Sequence, residues 1–282
     1  MYLFKKVSDL QQHLAGIRQE GKKIGFVPTM GALHEGHISL INQSVAANNY
    51  TVCSIFVNPT QFNDSSDLKK YPRTITKDMA MLNAGGNNVL FLPDVDEVYP
   101  SGLDTTLKLD FGDLAEVMEG HFRPGHFDGM AQVVKRLLDI IEPDRLYMGQ
   151  KDFQQMAIVN SMLTQLELPV ELVMCPIVRE TDGLAMSSRN VRLDPSLRKE
   201  ALLLSKTLKQ VKIKMKTQTP TAIIKWALKR LKKPSFKAEY FEIVDGITLQ
   251  PIKRFADSDY VVACTAAWVG EIRLIDNLVL KE

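Results

Sequence analysis

The chain has 282 residues, 45% hydrophobic and 24% charged, with a formal net charge of +2. This is the composition of an ordinary soluble globular protein with enough apolar residues for two domains or one large one. With no apolar run of about 18 residues and no N-terminal signal pattern, membrane-spanning and secretory classes are set aside and a cytoplasmic protein is expected. The small charge argues neither for nor against an anionic partner. Cys53, Cys175 and Cys264 are scattered among apolar neighbours without a Cys-x-x-Cys pair, and read as small buried hydrophobes.

Residues 1 to 21 carry Leu10, Leu14 and Ile17 at helical spacing, with Gly21 as a stop. Lys22-Lys-Ile-Gly-Phe-Val27 is of strand length, and Ile38, Leu40, Ile41 and Val45 recur at helical spacing. The stretch between them, Pro28-Thr-Met-Gly-Ala-Leu-His-Glu-Gly-His37, therefore reads as a loop. Pro28 is expected to stop the strand and Gly31 to permit a positive φ, and the helix should open near His34 with unpaired N–H groups. That is an anion-binding geometry. His34 and His37, three apart, share one face of the first turn and offer imidazole donors to phosphate oxygens. A strand-to-helix turn with two surface histidines has the same spacing. A zinc-protease site needs histidines four apart, and neither a Walker A sequence nor Gly-x-Gly-x-x-Gly occurs.

Thr51-Val-Cys-Ser-Ile-Phe-Val57 is a continuous apolar run, as expected of a strand buried on both faces of a parallel sheet, and ends at Asn58-Pro-Thr-Gln-Phe62. Asn58 and Gln61 are candidates for a small polar ligand, or part of a plain Asn-Pro turn. A helix from Tyr71-Pro-Arg-Thr74 to Gly85-Gly86 and a strand Asn88-Val-Leu-Phe-Leu92 extend the alternation, which implies an α/β fold with a mostly parallel sheet. Thr105 to Phe111 reads as a further strand. Glu119 to Gly129 places His121, Arg123 and His126 around Pro124-Gly125 before a strongly periodic helix, so that four of the five histidines fall in two stretches. Arg123 there suits a second anionic group, and a plain solvated loop has the same composition.

Arg145-Leu-Tyr-Met148 leads into Gly149-Gln-Lys-Asp-Phe-Gln-Gln155, where Lys151 supplies a point charge and Gln154 and Gln155 suit neutral or carboxylate oxygens. After a strand from Val170 to Val178, Met186-Ser-Ser-Arg-Asn190 combines two hydroxyls with a guanidinium fork, suited to polyphosphate or to a plain linker. Between Leu197 and Lys237 stand thirteen Lys or Arg against Glu200 alone, read as a solvated helical face and not as a nucleic-acid surface. Tyr240 to Val244 and Tyr260 to Ala263 are strands of a small α+β domain that ends on Arg273-Leu-Ile-Asp-Asn277.

Taken in order, the runs Pro28–His37, Val57–Phe62, Arg123–Phe127, Gly149–Gln155, Met186–Asn190 and Arg273–Asn277 closely resemble the pantothenate synthetase (pantoate–β-alanine ligase) family over nearly the whole chain. The resemblance implies an α/β Rossmann-like domain over 1–177 with a parallel sheet, a smaller α+β C-terminal lid over 178–282, a homodimer, and use of ATP with Mg²⁺. It implies condensation of (R)-pantoate with β-alanine through a pantoyl adenylate, with release of pyrophosphate and AMP. Carried over residue by residue, it puts Met30, Gly31, Ala32, Leu33, His34, Glu35, Gly36 and His37 at ATP, with His34 and His37 on the phosphates. Gly149, Gln150, Lys151, Asp152, Val178, Met186, Ser187, Ser188 and Arg189 complete the nucleotide set, with Lys151 and Arg189 as the catalytic charges. Gln61 and Gln155 hold pantoate, with Asn58, Arg123 and His126 as neighbours. A transferase acting on a phosphate acceptor would share His34, His37 and the serine loop but has no use for the paired glutamines; a nucleotide sensor would bind ATP without turnover.

Overall fold

The apolar runs fold into a six-stranded parallel sheet in the computed structural model, which describes residues 1–61, 68–69 and 71–282. Its strands are β1 (Tyr2–Phe4), β2 (Ile24–Thr29), β3 (Tyr50–Ile55), β4 (Val89–Phe91), β5 (Arg145–Gly149) and β6 (Glu171–Cys175), in the order β1-β4-β3-β2-β5-β6. Every neighbouring pair is parallel. β3 is buried at every position because it lies inside the sheet, which is why its sequence shows no alternation. Beginning at β2, the chain steps through β3 to β4 on one side, then places β5 on the other. The carboxyl ends of β2 and β5 thus form the switch point at which open α/β sheets take ligands.

Side-chain alternation divides the two faces of this sheet. Val27, Cys53, Ile55, Leu90 and Tyr147 meet Leu40 and Ile41 of helix α2 (Glu35–Ala47) and Leu82 of α3 (Ile75–Ala84) in one cluster. Phe26, Val52 and Phe91 point the other way, and are also fully buried. Helix α1 (Val7–Gln19) buries Leu10, Leu14 and Ile17 as its periodicity predicts. The short α4 (Val95–Val98) and α5 (Glu119–Phe122) precede α6 (His126–Ile141), the most strongly amphipathic helix, and α7 (Phe153–Gln165) follows β5.

A separate core is built from α8 (Pro195–Lys214), α9 (Pro220–Leu231) and the antiparallel strands β7 (Phe236–Asp245), β8 (Val261–Val269) and β9 (Ile272–Lys281), in the order β7-β8-β9. Leu204, Leu208, Ile223, Leu231, Phe241 and Ile243 are among its buried members. Both helices start with a side-chain cap followed by proline: Asp194 accepts from Ser196 and Leu197 N–H, and Thr219 from Ala222 N–H. The chain divides into two compact units, one of Met1–Phe111, Arg123–Gly149 and Ile158–Pro176, the other of Gly112–Phe122, Gln150–Ala157 and Ile177–Glu282.

Three local expectations are corrected. Tyr2–Phe4 forms an edge strand against Val89–Phe91 ahead of the first helix; three residues are too few to show alternation. Pro28 lies inside β2 opposite Ser54, since the β5 partner strand stops at Phe26 and Pro28 has a ladder neighbour on one side only. Residues 105–111 contain no strand, having no partner strand to complete a ladder. All three cysteines are free and buried, and burial pushes the thiols up, to about 12 for Cys53 and about 11 for Cys175. Phe62 lies outside the described residues.

Candidate active site

The β2–α2 loop of the first unit is tied down at almost every backbone donor. Gly31, at φ 81°, gives its N–H to the Thr29 hydroxyl at 3.2 Å, and that hydroxyl donates to Ser54 C=O at 2.7 Å. Ala32, at φ 51°, and Leu33 donate to the two carboxylate oxygens of Asp78 at 3.0 and 2.9 Å. His34 N–H bonds to His37 Nδ1 at 3.3 Å, and Gly36 N–H to His34 Nδ1 at 3.2 Å, a reciprocal capping arrangement made by imidazoles. The open row of amides expected at the start of α2 is therefore largely closed, because loop and helix satisfy their donors internally. What remains directed by this geometry is the imidazole chemistry. An Nδ1 that accepts places the neutral ring's proton on Nε2, so these bonds assign both histidines the same tautomer, with Nε2–H as the donor. The ring centroids are 4.0 Å apart. Leu33 contributes backbone only, as its side chain belongs to the core.

In the same unit, Gln61 Nε2 lies 3.1 Å from Met30 Sδ, bringing together two of the expected residues. Asn58 is 1% exposed and its amide is engaged inside the protein: Nδ2 donates to Thr60 Oγ1 and Gly129 C=O at 3.0 and 3.1 Å and lies 3.4 Å from Gln61 Oε1, and Oδ1 accepts from Tyr99 OH at 3.1 Å. Asn58 therefore shapes the loop that presents Gln61, and is not itself open to a ligand. His126 is also buried and doubly engaged, Nδ1 with Gln61 C=O at 3.0 Å and Nε2 with Arg123 at 3.0 Å. A guanidinium only donates, so Nε2 accepts and the His126 ring proton sits on Nδ1, the reverse of the assignment at His34 and His37.

The second unit holds the other nucleotide candidates except Gly149, which ends β5 in the first unit. Gln150–Asp152 forms one 3₁₀ turn, and Lys151 Nζ lies 3.1 Å from Asp152 Oδ1. Asn277 of β9 pins this turn: Nδ2 donates to Gln150 and Lys151 C=O, each at 2.9 Å, and Oδ1 accepts from Gln150 Nε2 at 3.0 Å. Beside it Asp276 receives a bidentate pair from Arg179 at 2.7 and 2.9 Å. Burial pushes the Asp276 carboxyl above its ordinary range against the pull of that arginine. Met186 N–H bonds to Val178 C=O at 3.0 Å, and Ser187 caps the 3₁₀ turn Ser188–Arg192 by accepting from Arg189 N–H.

Gln154, grouped with Gln155 in the sequence as a ligand candidate, is a structural residue. Its amide accepts from Glu119 N–H at 2.9 Å and donates to Leu114 and Val117 C=O, both at 2.8 Å. Gln155 is half-buried. Arg273 forks onto Glu119 at 2.7 and 2.8 Å and reaches Glu239 at 2.7 Å. Burial weakens the arginine's charge, but the two carboxylates more than offset that and push its pKa up. Asp78, Asp276 and Asn277 are supporting residues that sequence spacing alone did not assign, and only the last two lay within a noted motif.

A family model described as pantoate-beta-alanine ligase matches residues 2–279. The pantothenate synthetase of Porphyromonas gingivalis strain W83 is 50% identical over 279 residues, 99% of each chain. That of Bacteroides thetaiotaomicron is 48% identical over the full length of both. The crystal structure of the Thermus thermophilus pantothenate synthetase superposes with a TM-score of 0.93 at 38% identity and covers 100% of both chains. A Francisella tularensis pantoate-beta-alanine ligase, solved in complex with beta-gamma ATP and beta-alanine, gives 0.80 at 31% identity over 99% of this chain and 98% of its own. Fold and end-to-end similarity agree, and the chain belongs to the pantoate-beta-alanine ligase family.

Proposed function

We propose that the chain condenses (R)-pantoate with β-alanine at the expense of ATP through a pantoyl adenylate. The carboxylate oxygen of pantoate attacks the α-phosphorus, the bond to pyrophosphate breaks, and a mixed anhydride forms. The amine of β-alanine then attacks the acyl carbon, AMP leaves with the former carboxylate oxygen, and the nitrogen loses a proton. A carboxylate resists attack by an amine, so activation must come first, and no protein nucleophile is needed. The observation that carries this reading is the pair of adjacent rings of His34 and His37, with centroids 4.0 Å apart, whose Nδ1 atoms both accept backbone N–H groups; that assigns the ring protons to Nε2, where each suits a phosphate oxygen.

In this scheme Met30 to His37 and Gly149 to Asp152 take the nucleotide, together with Val178 and Met186 to Arg189. Lys151 and Arg189 meet the charge that builds on the α-phosphate, and Gln61 and Gln155 hold pantoate. The engaged amide of Asn58 and ring of His126 make both residues supports for Gln61. Mg²⁺ would be held by the ATP phosphate oxygens and water, the hard oxygen donors it prefers, and would neutralise charge on the phosphates. We further propose a cytoplasmic homodimer, for which light scattering of the purified protein reads the mass directly; among the described residues no helix is long and apolar enough to cross a membrane.

The test is isotope exchange. Labelled pyrophosphate should enter ATP when pantoate is present and β-alanine absent, since adenylation needs no amine. Exchange that strictly requires β-alanine would indicate a concerted reaction of all three substrates and overturn the two-step scheme.

A further inference from the structure

We propose that Asp78 is a positioning residue for the nucleotide, an internal anion that sets the Met30–His37 loop before ATP arrives; the inference rests on the ATP reading above. Asp78 is fully buried on α3, outside every motif discussed so far. Its Oδ2 accepts from Ala32 N–H at 3.0 Å, and its Oδ1 accepts from Leu33 N–H at 2.9 Å and from the Thr74 hydroxyl at 2.9 Å. Gly31 and Ala32 both have positive φ, 81° and 51°, and the successive N–H groups of Ala32 and Leu33 converge on the one carboxylate, a tight turn whose donors favour an anion. Here the protein supplies the anion itself. Ala32 holds a left-handed conformation that a residue with a Cβ seldom adopts, and the carboxylate is what its N–H gains there.

The consequence reaches the imidazoles. Leu33 N–H is fixed by Asp78, the next residue's N–H is taken by His37 Nδ1, and His34 Nδ1 holds Gly36 N–H, so the ring placement is continuous with the carboxylate. Without an acceptor at position 78, the buried Leu33 N–H and the part-buried Ala32 N–H lose their partner, and the loop has no reason to keep Ala32 at positive φ. The groups set by that loop would then have to be ordered by ATP itself, at a cost in affinity.

Charge and position predict opposite signs, which makes the role testable. A carboxylate beneath a triphosphate site repels its ligand, so if Asp78 acted only through its field, Asp78→Asn would bind ATP more tightly. If it positions the loop, the same change weakens ATP, because the amide nitrogen cannot accept an N–H. The experiment is calorimetry of ATP and, separately, of pantoate on the parent, Asp78→Asn and Thr74→Val, with amide hydrogen exchange at Ala32 and Leu33. We expect ATP affinity to fall about tenfold or more in Asp78→Asn, with pantoate affinity within about twofold of the parent and both amides exchanging faster. Thr74→Val, which keeps the carboxylate and removes one bond to it, should lose ATP affinity by a few fold and decides the matter if Asp78→Asn does not fold. Unchanged or tighter ATP binding in a folded variant, or a matching loss for pantoate, overturns the role of Asp78. Failure of the parent to bind ATP overturns the nucleotide reading instead.

Discussion

On the proposed reaction His37 and Lys151 stabilise phosphate charge during adenylation and have none left to stabilise once pyrophosphate has gone. The amine step has different needs: an amine of pKa about 10 must arrive deprotonated at an already activated carbonyl, which is a matter of positioning. Lys151→Met should therefore reduce overall turnover by about 100-fold or more, on the precedent of single oxyanion donors. Supplied pantoyl adenylate and β-alanine should still react within about tenfold of the parent rate. His37→Gln should lose less in the first step, since an amide keeps a donor. Rapid-quench measurement of the isolated second step checks both, and equal losses in the two half-reactions would remove the role assigned to these residues. At this scale residue type is a poor guide by itself. Gln154 and Gln155 are neighbours of the same chemistry, yet three hydrogen bonds commit Gln154 to the Gly112–Phe122 segment.

The segments that present these groups depend on close contact between elements. Gly129 in α6 leaves room for the backbone at Thr60: a Cβ there would sit 2.5 Å from Thr60 C=O and 3.2 Å from Gln61 Cα. Helix and loop backbone cannot both stay in place, so Gly129→Ala should displace Gln61. The expected result is a rise of about tenfold or more in KM for pantoate with a smaller change in KM for ATP, because a misplaced contact of order 1 Å is costly. Steady-state kinetics with each substrate varied in turn reads it, and equal changes in the two constants would mean that the loop is not the element disturbed. β9 works in the same way on the second unit. Arg273, Asp276 and Asn277 lie within five residues of one strand and bind Glu119, Arg179 and the Gln150–Lys151 backbone respectively.

At the level of the whole molecule, the apolar cluster of the C-terminal helices and strands is exposed to a simple test. Phe241 is fully buried in it, on the central stretch of β7. Phe241→Ala should lower the unfolding free energy by about 3 to 5 kcal/mol through lost transfer energy and the cavity left behind. Denaturant titration checks this, and a loss below about 1 kcal/mol would mean that the site collapses around the smaller side chain. Charge is segregated on the same scale. With thirteen basic residues and one acidic, residues 197–237 carry +12 of a total of +2, so the remainder carries −10. Ile223, Ala227 and Leu231 of α9 face the core, which leaves Lys225, Lys229, Lys232 and Lys233 exposed, as a solvated basic face requires.

Local physics made much of this protein legible in its sequence. Apolar period alone separates strands of type β3 from helices of type α6, and Gly31 marks a positive φ because a residue without a Cβ adopts it at little cost. The order of six motifs was enough for the family, since each is a short run whose chemistry is carried by neighbouring residues. Only the tertiary structure decided what those residues do for one another. The partners of Ala32 and Leu33 are 46 and 45 positions away in Asp78, and those of Gln150 and Lys151 are 127 and 126 away in Asn277. No periodicity encodes such pairs. They exist because buried N–H and C=O groups must be satisfied by whatever the packing of the chain brings to them.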